Sequence, residues 1–307
     1  MGMIEVMLTL SVLVAVGYVC GRLGYLGGDF DRRLSSLVIN VTCPALILSS
    51  AMGGQLPDRR FILPLLLISV LTYVVLSVAG FVLPRYVSRR QEDFGPLGFA
   101  MIFGNVGFMG YPVVASIFGS EAVFYAAVLN VVNTFAVFTI GTILITGRGD
   151  DVGGRRFQRK VLYSTPMLAA YFTMGIVALR IDNIPVVVSE PLSMLGAITV
   201  PAALLIIGSS MSHLSLRTMM GNATVYATAL LRLVVLPVAV HFLMTALGFS
   251  PFVVNINTLV VAMPVATYGT ILCLKYNKDT TLITEVTFIT TLLSMVSIPL
   301  LVTLLFK

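Results

Sequence analysis

The sequence predicts an all-α polytopic membrane protein, with ten transmembrane helices arranged as two inverted repeats of five helices. Three observations support this fold class: an apolar composition, long apolar runs along the whole chain, and matching patterns in its two halves. Of the 307 residues, 58% are hydrophobic and only 10% are charged, whereas soluble domains carry charges on about a quarter of their residues. This composition excludes an ordinary soluble fold.

The apolar runs have the length that membrane-spanning helices need, which is about 20 residues. The predicted spans are residues 3–26, 34–52, 61–84, 95–119, 122–146, 161–179, 189–211, 222–247, 252–275 and 280–306. A polar link at residues 148–160 separates the first predicted repeat, residues 1–147, from the second, residues 161–307.

The positions of Lys and Arg predict the orientation in the membrane, because loops rich in these residues stay in the cytoplasm. One set of loops holds Arg22, Arg32, Arg33, Arg85, Arg89, Arg90, Arg148, Arg155, Arg156, Arg159, Lys160, Arg217, Lys275 and Lys278. The opposite set holds only Arg59, Arg60, Arg180 and the terminal Lys307. We therefore expect a cytoplasmic link and both termini outside. The net charge of +6 follows this topology pattern and does not indicate nucleic-acid binding.

Two short patterns recur in the two halves at nearly equal distances along the chain. Pro44 in the second span and Pro201 in the seventh each lie in a Thr-x-Pro-Ala sequence, and Glu121 after the fourth span corresponds to Asp279 after the ninth. Because each half has an odd number of spans, the second copy enters the membrane from the opposite side. The two halves therefore form an inverted repeat.

The fourth span, residues 95–119, carries three glycines and a proline between Gly104 and Pro112. Proline lacks a backbone donor and clashes with the preceding turn, so we expect the helix to break there and a half-helix to start near Pro112. Pro264 and Gly269 interrupt the ninth span at the corresponding place. Paired breaks predict a binding site, because irregular backbone in a membrane must be covered by protein or line a cavity. Kinks that only shape packing are the alternative.

Several ordered motifs resemble the auxin efflux carrier family and cover nearly the whole chain. They are Gly104-Asn-Val-Gly-Phe-Met-Gly-Tyr-Pro112, Pro201-Ala-Ala-Leu-Leu-Ile-Ile-Gly208, Arg232-Leu-Val-Val-Leu-Pro237, and Met263-Pro-Val-Ala-Thr267 followed by Lys275-Tyr-Asn-Lys-Asp279. The resemblance implies the fold of the bile-acid symporters and sodium/proton antiporters, with two crossing broken helices in a transport bundle. It also implies a scaffold built largely from the first, second, sixth and seventh spans.

The same resemblance implies transport of organic carboxylates, such as auxin in plant members and malate or malonate in bacterial ones. Plant carriers often have a long hydrophilic central loop, whereas the link at residues 148–160 is short. This difference favours a prokaryotic relative.

The breaks themselves also favour an anion, because each restarting half-helix directs free N–H groups and about half a positive charge toward the break. The Asn105 amide can donate hydrogen bonds to a carboxylate or cap unpaired backbone. Bonding between helices is the alternative for Asn133, and core packing is the alternative for the tyrosines. The predicted substrate-binding residues are Asn40, Gly104, Asn105, Gly107, Gly110, Tyr111, Pro112, Asn133, Pro264, Thr267, Tyr268 and Gly269.

Arg232 is the one basic residue deep inside a predicted span, where a charge needs a partner. The alternatives are a structural role, through an ion pair or backbone carbonyls, direct contact with the substrate carboxylate, and a role in coupling. Glu285 in the tenth span is a candidate partner of Arg232 and a candidate for proton coupling, since a desolvated carboxylate can exchange a proton. A pair with Lys278 at the membrane interface is the alternative for Glu285.

The predicted function is secondary transport of small organic carboxylates across the cell membrane by alternating access, of elevator or rocking type. The alternatives are a sodium- or proton-coupled carrier of another anion, such as a bile-acid-like substrate, a channel, and a receptor without transport. We expect no enzyme, cofactor or metal, because HExxH, GxSxG and carboxylate clusters are absent from the sequence. Expected partners are the substrate anion, H⁺ or Na⁺ as coupling ion, the bilayer and a second copy in a homodimer.

Overall fold

The computed structural model describes residues 3–52, 57–147, 163–181, 184–212 and 222–306. These residues form helices and connecting turns, and their only strand-like feature is an isolated β-bridge. The α-helices are α1 (Met3–Arg22), α2 (Gly28–Leu37), α3 (Cys43–Ser49), α4 (Ile62–Val82), α5 (Pro84–Val87), α6 (Phe94–Ile102), α7 (Tyr111–Phe118), α8 (Ala122–Ala136), α9 (Thr142–Thr146), α10 (Thr165–Leu179), α11 (Val186–Ala197), α12 (Thr199–Ser212), α13 (Ala223–Leu230), α14 (Leu236–Ala246), α15 (Pro251–Val261), α16 (Tyr268–Lys275) and α17 (Thr281–Leu305).

Several of these helices are long and apolar enough to cross a membrane. In the described part of the chain the five such stretches are Arg59–Val87, Ala122–Thr146, Val186–Ser210, Ala223–Ala246 and Thr281–Leu305. Shorter apolar helices cover Val12–Arg22, Val106–Phe118, Thr165–Leu179 and Pro251–Val261. The structure confirms an all-helical polytopic membrane protein. The count of ten spans and the inverted arrangement stay predictions.

Three of the α-helices have a proline near their start and directly follow a π-helical turn. These turns are Val38–Thr42, Val106–Gly110 and Leu231–Val235, and each precedes an α-helix with a proline in its first two positions. In a regular α-helix proline would clash with the carbonyl four residues earlier. A π-turn changes that spacing, so the helix continues past the proline. A further π-turn, Val137–Gly141, joins α8 to α9.

The chain divides into two compact units, each with segments from both halves of the sequence. The first unit comprises Met1–Leu63, Gly107–Val131 and Leu162–Ser215, and the second comprises Pro64–Val106, Val132–Val161 and Leu216–Lys307. The first unit contains the spans that the resemblance assigns to a scaffold, and it also includes residues 107–131. The predicted repeat boundaries follow the sequence halves, which are a different division from these units.

In the first unit, α1 packs closely against α12 through glycines. A Cβ atom at Gly17 would lie 2.3 Å from the carbonyl oxygen of Leu205, and one at Gly208 would lie 2.0 Å from that of Val14. Small residues allow helix backbones in membranes to approach this closely. The same unit packs α3 against α10 and α11, where Thr173 donates a hydrogen bond of 3.3 Å to the carbonyl of Ile47.

The second unit has a core of aromatic side chains and polar bonds between helices. The ring of Phe103 stacks on Tyr73 with centroids 6.1 Å apart, and it lies 4.8 Å from the ring of Phe99. The buried amide of Asn257 in α15 donates to the hydroxyl of Thr72 in α4 over 2.9 Å. These contacts pack α4 against the end of α6 and against α15.

Candidate functional site

Two of the predicted spans, the fourth and the ninth, are interrupted, as the sequence predicts. The helix α6 ends at Ile102, and Phe103 has extended backbone angles, φ −107° and ψ 118°. In the ninth predicted span, α15 ends at Val261 and α16 begins at Tyr268. The prediction of two breaks is therefore confirmed, and the second half-helix starts one residue before Gly269.

The first break lies earlier in the chain than predicted. The helix resumes at Val106 with the π-turn Val106–Gly110, and Pro112 lies within the helical segment that follows. A half-helix starting near Pro112 is therefore wrong. The π-turn lets the helix pass through Pro112, so the break falls at Phe103–Asn105.

The two breaks cross and bond to each other through their backbones. Gly104 and Val265 form an antiparallel bridge. The N–H of Asn105 donates to the carbonyl of Pro264 over 2.7 Å, and the N–H of Ala266 donates to the carbonyl of Phe103 over 3.0 Å. Two short extended segments thus replace the helical hydrogen bonds that the breaks interrupt.

Side chains and local turns bind further backbone groups at this crossing. The N–H of Val265 donates to the hydroxyl oxygen of Thr290 in α17 over 3.2 Å, and the N–H of Val106 donates to the carbonyl of Gly104 over 2.9 Å. A buried backbone group without a partner is costly, and more so where no water is present. These bonds therefore stabilise irregular backbone inside an apolar protein.

Arg232 binds the carbonyl ends of both interrupted helices. It lies in the π-turn Leu231–Val235 between α13 and α14, and its side chain is only 1% exposed. Its Nη1 donates to the carbonyls of Met101 and Ile102, and its Nε donates to that of Met263, each over 3.1 Å. Met101 and Ile102 are the last residues of α6, and Met263 follows the end of α15. The structure thus shows Arg232 bonded to backbone carbonyls, whereas substrate contact and a role in coupling stay predictions.

The charges at these helix ends are balanced. The carbonyl end of a helix carries about half an elementary negative charge. Two such ends meet one guanidinium, which carries a full positive charge and stays protonated in proteins. The crossing therefore accommodates a buried arginine without a carboxylate partner among the described residues.

Gly104 is the residue against which the guanidinium packs. A Cβ atom at this position would lie 2.2 Å from Nη2 of Arg232 and 3.2 Å from the carbonyl oxygen of Met263. No side chain fits there while Arg232 keeps its position. Arg232 can therefore occupy this position only because residue 104 is a glycine.

Among the described residues Glu285 forms no ion pair with Arg232, and it lies in the second turn of α17. It is half-buried and lines a cavity of about 700 Å³ in the second unit, whose charged lining residues are Arg90, Glu92, Asp93, Lys278, Asp279 and Glu285. Hydrogen bonds from the N–H and hydroxyl of Thr281 lower the pKa of the Asp279 carboxyl. The coupling role of Glu285 stays a prediction.

The other predicted residues of the second unit differ in their exposure. Asn105 is half-buried, Thr267 is exposed and Asn133 is buried. Tyr268 is 38% exposed and packs edge-to-face on Phe138, with ring centroids 5.5 Å apart. The buried Pro264 pairs with Asn105 as described above, and the buried Gly269 packs against Phe99 and Ile283.

The remaining predicted residues belong to the first unit. Asn40 is exposed, and its amide donates to Ser36 while its oxygen accepts from Thr165 over 3.1 Å. Tyr111 is buried, and its hydroxyl accepts a bond of 2.8 Å from the amide of Asn130. Gly110 and Pro112 are also buried, whereas Gly107 borders open space, since a Cβ atom there would meet nothing within 4 Å.

Thr290 was not predicted as a site residue, although its hydroxyl oxygen accepts a hydrogen bond from the N–H of Val265 at the second break. A threonine in an apolar helix usually bonds its own backbone, and Thr290 also donates to Val286 and Thr287. The available signal was indirect: a broken helix frees backbone N–H groups, which require acceptors from neighbouring helices.

A polytopic helical protein with two interrupted helices that cross has the features of a membrane transport protein. The profile of the family described as membrane transport protein matches residues 3–154 and 155–302. The chain belongs to this family, the auxin efflux carrier family.

Relatives of similar length support the assignment. The chain is 30% identical over 304 residues to a protein of Methanothermobacter thermautotrophicus named "Uncharacterized transporter", covering 98% of this chain and 97% of that one. An uncharacterized transporter of Methanocaldococcus jannaschii is 25% identical over 96% of each chain. A Rhizobium meliloti protein named "Putative malonate transporter" is 22% identical over 93% of this chain and 90% of its own. These prokaryotic relatives and the family confirm transport across a membrane as the role.

Proposed function

We propose that the protein is a secondary carrier of small organic carboxylates that binds its substrate at the crossing of the two interrupted helices. The observation that carries the proposal is the antiparallel bridge between Gly104 and Val265. Within three residues of this bridge the chain starts one helix at Val106 and another at Tyr268. Two helix beginnings therefore lie at one point of the structure.

The charge at this point favours an anion. Each helix beginning carries about half a positive charge and N–H groups without acceptors inside the helix. Residues 103–118 and 262–275 contain no Asp or Glu that could neutralise these ends. Because Arg232 already compensates the carbonyl ends, the net charge at the crossing is positive. A carboxylate supplies the missing negative charge.

The substrate class follows from the family and from the side chains beside the crossing. The resemblance implies malate, malonate or auxin-like carboxylates, and one relative carries malonate in its name. Asn105 and Thr267 offer hydrogen-bonding groups, and the partly exposed ring of Tyr268 offers an apolar surface. Malonate is therefore the first substrate to test, with malate and indole acetate next.

Alternating access requires the site to open to the two sides of the membrane in turn. The crossing is held by the hydrogen bonds of Arg232 and Thr290 and by the bridge between Gly104 and Val265. All of these bonds join residues of the second unit. The crossing can therefore move as one block without breaking them, which suits an elevator-type carrier. We propose H⁺ or Na⁺ as the coupling ion, with Glu285 as the group that would exchange a proton.

The finer architecture belongs to the same proposal. It comprises ten spans in two inverted repeats, both termini outside the cell membrane, and a homodimer. Reporter fusions at the two termini and in the link at residues 148–160 test the orientation, because the link should report cytoplasm and the termini should not.

The proposal is tested with the purified protein in liposomes, using radiolabelled malonate. A carrier gives uptake that saturates with malonate and is accelerated by unlabelled malonate inside the vesicle. Uptake that rises linearly, without acceleration from the inside, would identify a channel. Absence of uptake and binding with malonate, malate and indole acetate would remove carboxylates as the substrate class.

A further inference from the structure

We infer that Arg232 is a positioning residue that makes the crossing selective for anions, without itself contacting the substrate. The inference rests on the proposed function in one respect, that the anion binds at the helix beginnings beside the bridge. Its basis is the placement of the guanidinium at Met101, Ile102 and Met263, which are the carbonyl ends of α6 and the segment after α15.

Four helix ends with partial charges meet at the crossing. Two carbonyl ends contribute about one negative charge in total, and two N–H ends contribute about one positive charge. Without Arg232 these sum to nearly zero, and a ligand at the crossing would experience little net potential. With Arg232 the carbonyl ends are neutralised, so the N–H ends alone determine the potential.

The geometry separates Arg232 from direct binding. Its side chain is almost completely buried, and its Nε and Nη1 atoms are occupied by three carbonyls. Its Nη2 atom faces the Cα atom of Gly104. An arginine placed for substrate contact would present its guanidinium to a cavity. Here the guanidinium acts through the charge that it contributes.

The experiment measures the electrostatic potential at the crossing without any substrate. In a background with Cys20, Cys43 and Cys273 replaced by Ser, the exposed Thr267 is replaced by Cys. The thiol is then modified with the anionic reagent 2-sulfonatoethyl methanethiosulfonate and the cationic reagent 2-(trimethylammonium)ethyl methanethiosulfonate. The rate with the anionic reagent is divided by the rate with the cationic reagent. This ratio, divided by the same ratio for a free thiol in solution, reports the local potential and exceeds one where that potential is positive.

The expected ratio is above one with Arg232 present. Arg232→Gln should lower it by about tenfold or more, as Coulomb's law gives for the loss of one charge at about 10 Å in a protein environment. Arg232→Lys keeps the charge and should keep the ratio, although it makes fewer hydrogen bonds. The control is Arg85→Gln, because Arg85 also donates to a carbonyl, that of Phe81, but is exposed. This variant should leave the ratio unchanged.

Three results would overturn the inference. They are a ratio near one with Arg232 present, an unchanged ratio in a folded Arg232→Gln protein, and an equal drop in Arg85→Gln. If Arg232→Gln does not fold, the inference is tested by the ratios of the protein with Arg232 and of Arg232→Lys, both of which should be above one. A merely structural role would change both modification rates together. Because no carboxylate is used, failure of malonate transport would leave this measurement valid, and the two proposals fail independently.

Discussion

Replacement of Gly104 by Ala tests the contact between the first break and the buried arginine. The new methyl group would lie 2.2 Å from Nη2 of Arg232, so the guanidinium or the backbone must move by more than an ångström to reach an ordinary contact distance. Such a shift lengthens the bonds of 3.1 Å to Met101, Ile102 and Met263. A hydrogen bond to a charged group contributes about 1.5–3 kcal/mol.

We expect Gly104→Ala to lower the free energy of unfolding by about 2–4 kcal/mol, since at least one of the three bonds is lost. At roughly 2–4 °C per kcal/mol, the melting temperature should fall by about 5–15 °C. A thiol-reactive fluorescent dye measures it in detergent, because Cys43 and Cys273 are buried and react only on unfolding. The protein has no Trp, which rules out tryptophan fluorescence.

The matched control is Gly107→Ala, three residues further along the chain. A methyl group at Gly107 meets nothing within 4 Å, and Ala is favoured over Gly in a helix by about 0.5–1 kcal/mol. This variant should be as stable as the parent or slightly more stable. Equal melting temperatures for Gly104→Ala and the parent, or an equal loss in both variants, would show that the contact between Gly104 and Arg232 does not stabilise the fold.

Three further predictions concern other contacts. Thr290→Val removes the acceptor for the N–H of Val265 and should cost about 1–3 kcal/mol, whereas Thr290→Ser should retain most of the stability in the same melting assay. Gly208→Ala places a methyl group 2.0 Å from a backbone oxygen of α1 and should strongly lower the melting temperature, whereas Gly175→Ala meets nothing within 4 Å and should not. Asn105→Ala should weaken malonate binding, which is measured as the rise in melting temperature that malonate causes. The variant should still fold, because the N–H of residue 105 keeps its bond to the carbonyl of Pro264. Unchanged affinity would remove this side chain from the site.

The breaks were predictable from sequence because proline and glycine act on the backbone directly. The position of the first break was not, since Pro112 shows where a regular α-helix is strained but not how the strain is relieved. A π-turn at Val106–Gly110 relieves it locally. The break at Phe103–Asn105 is instead held by bonds to residues far away in sequence, such as Pro264.

The role of Arg232 was predictable only in part. Its depth in an apolar segment indicated that it needs a partner, and this reasoning holds. The identity of the partner was not encoded locally, because backbone carbonyls are present at every residue and become available only where a helix ends. The same reason explains why Thr290 escaped the analysis: its acceptor role depends on a free N–H in another helix.

A cryo-electron microscopy map of the protein in lipid nanodiscs would show directly whether the two interrupted helices cross. We expect extended chain at residues 103–105 and 264–266, with the Cα atoms of Gly104 and Val265 about 4.5 Å apart, as in a non-hydrogen-bonded antiparallel pair. We also expect the side chain of Arg232 at the carbonyl ends of both helices. A map in which helix runs without interruption through residues 102–107, or in which the two segments lie apart, would contradict the crossing.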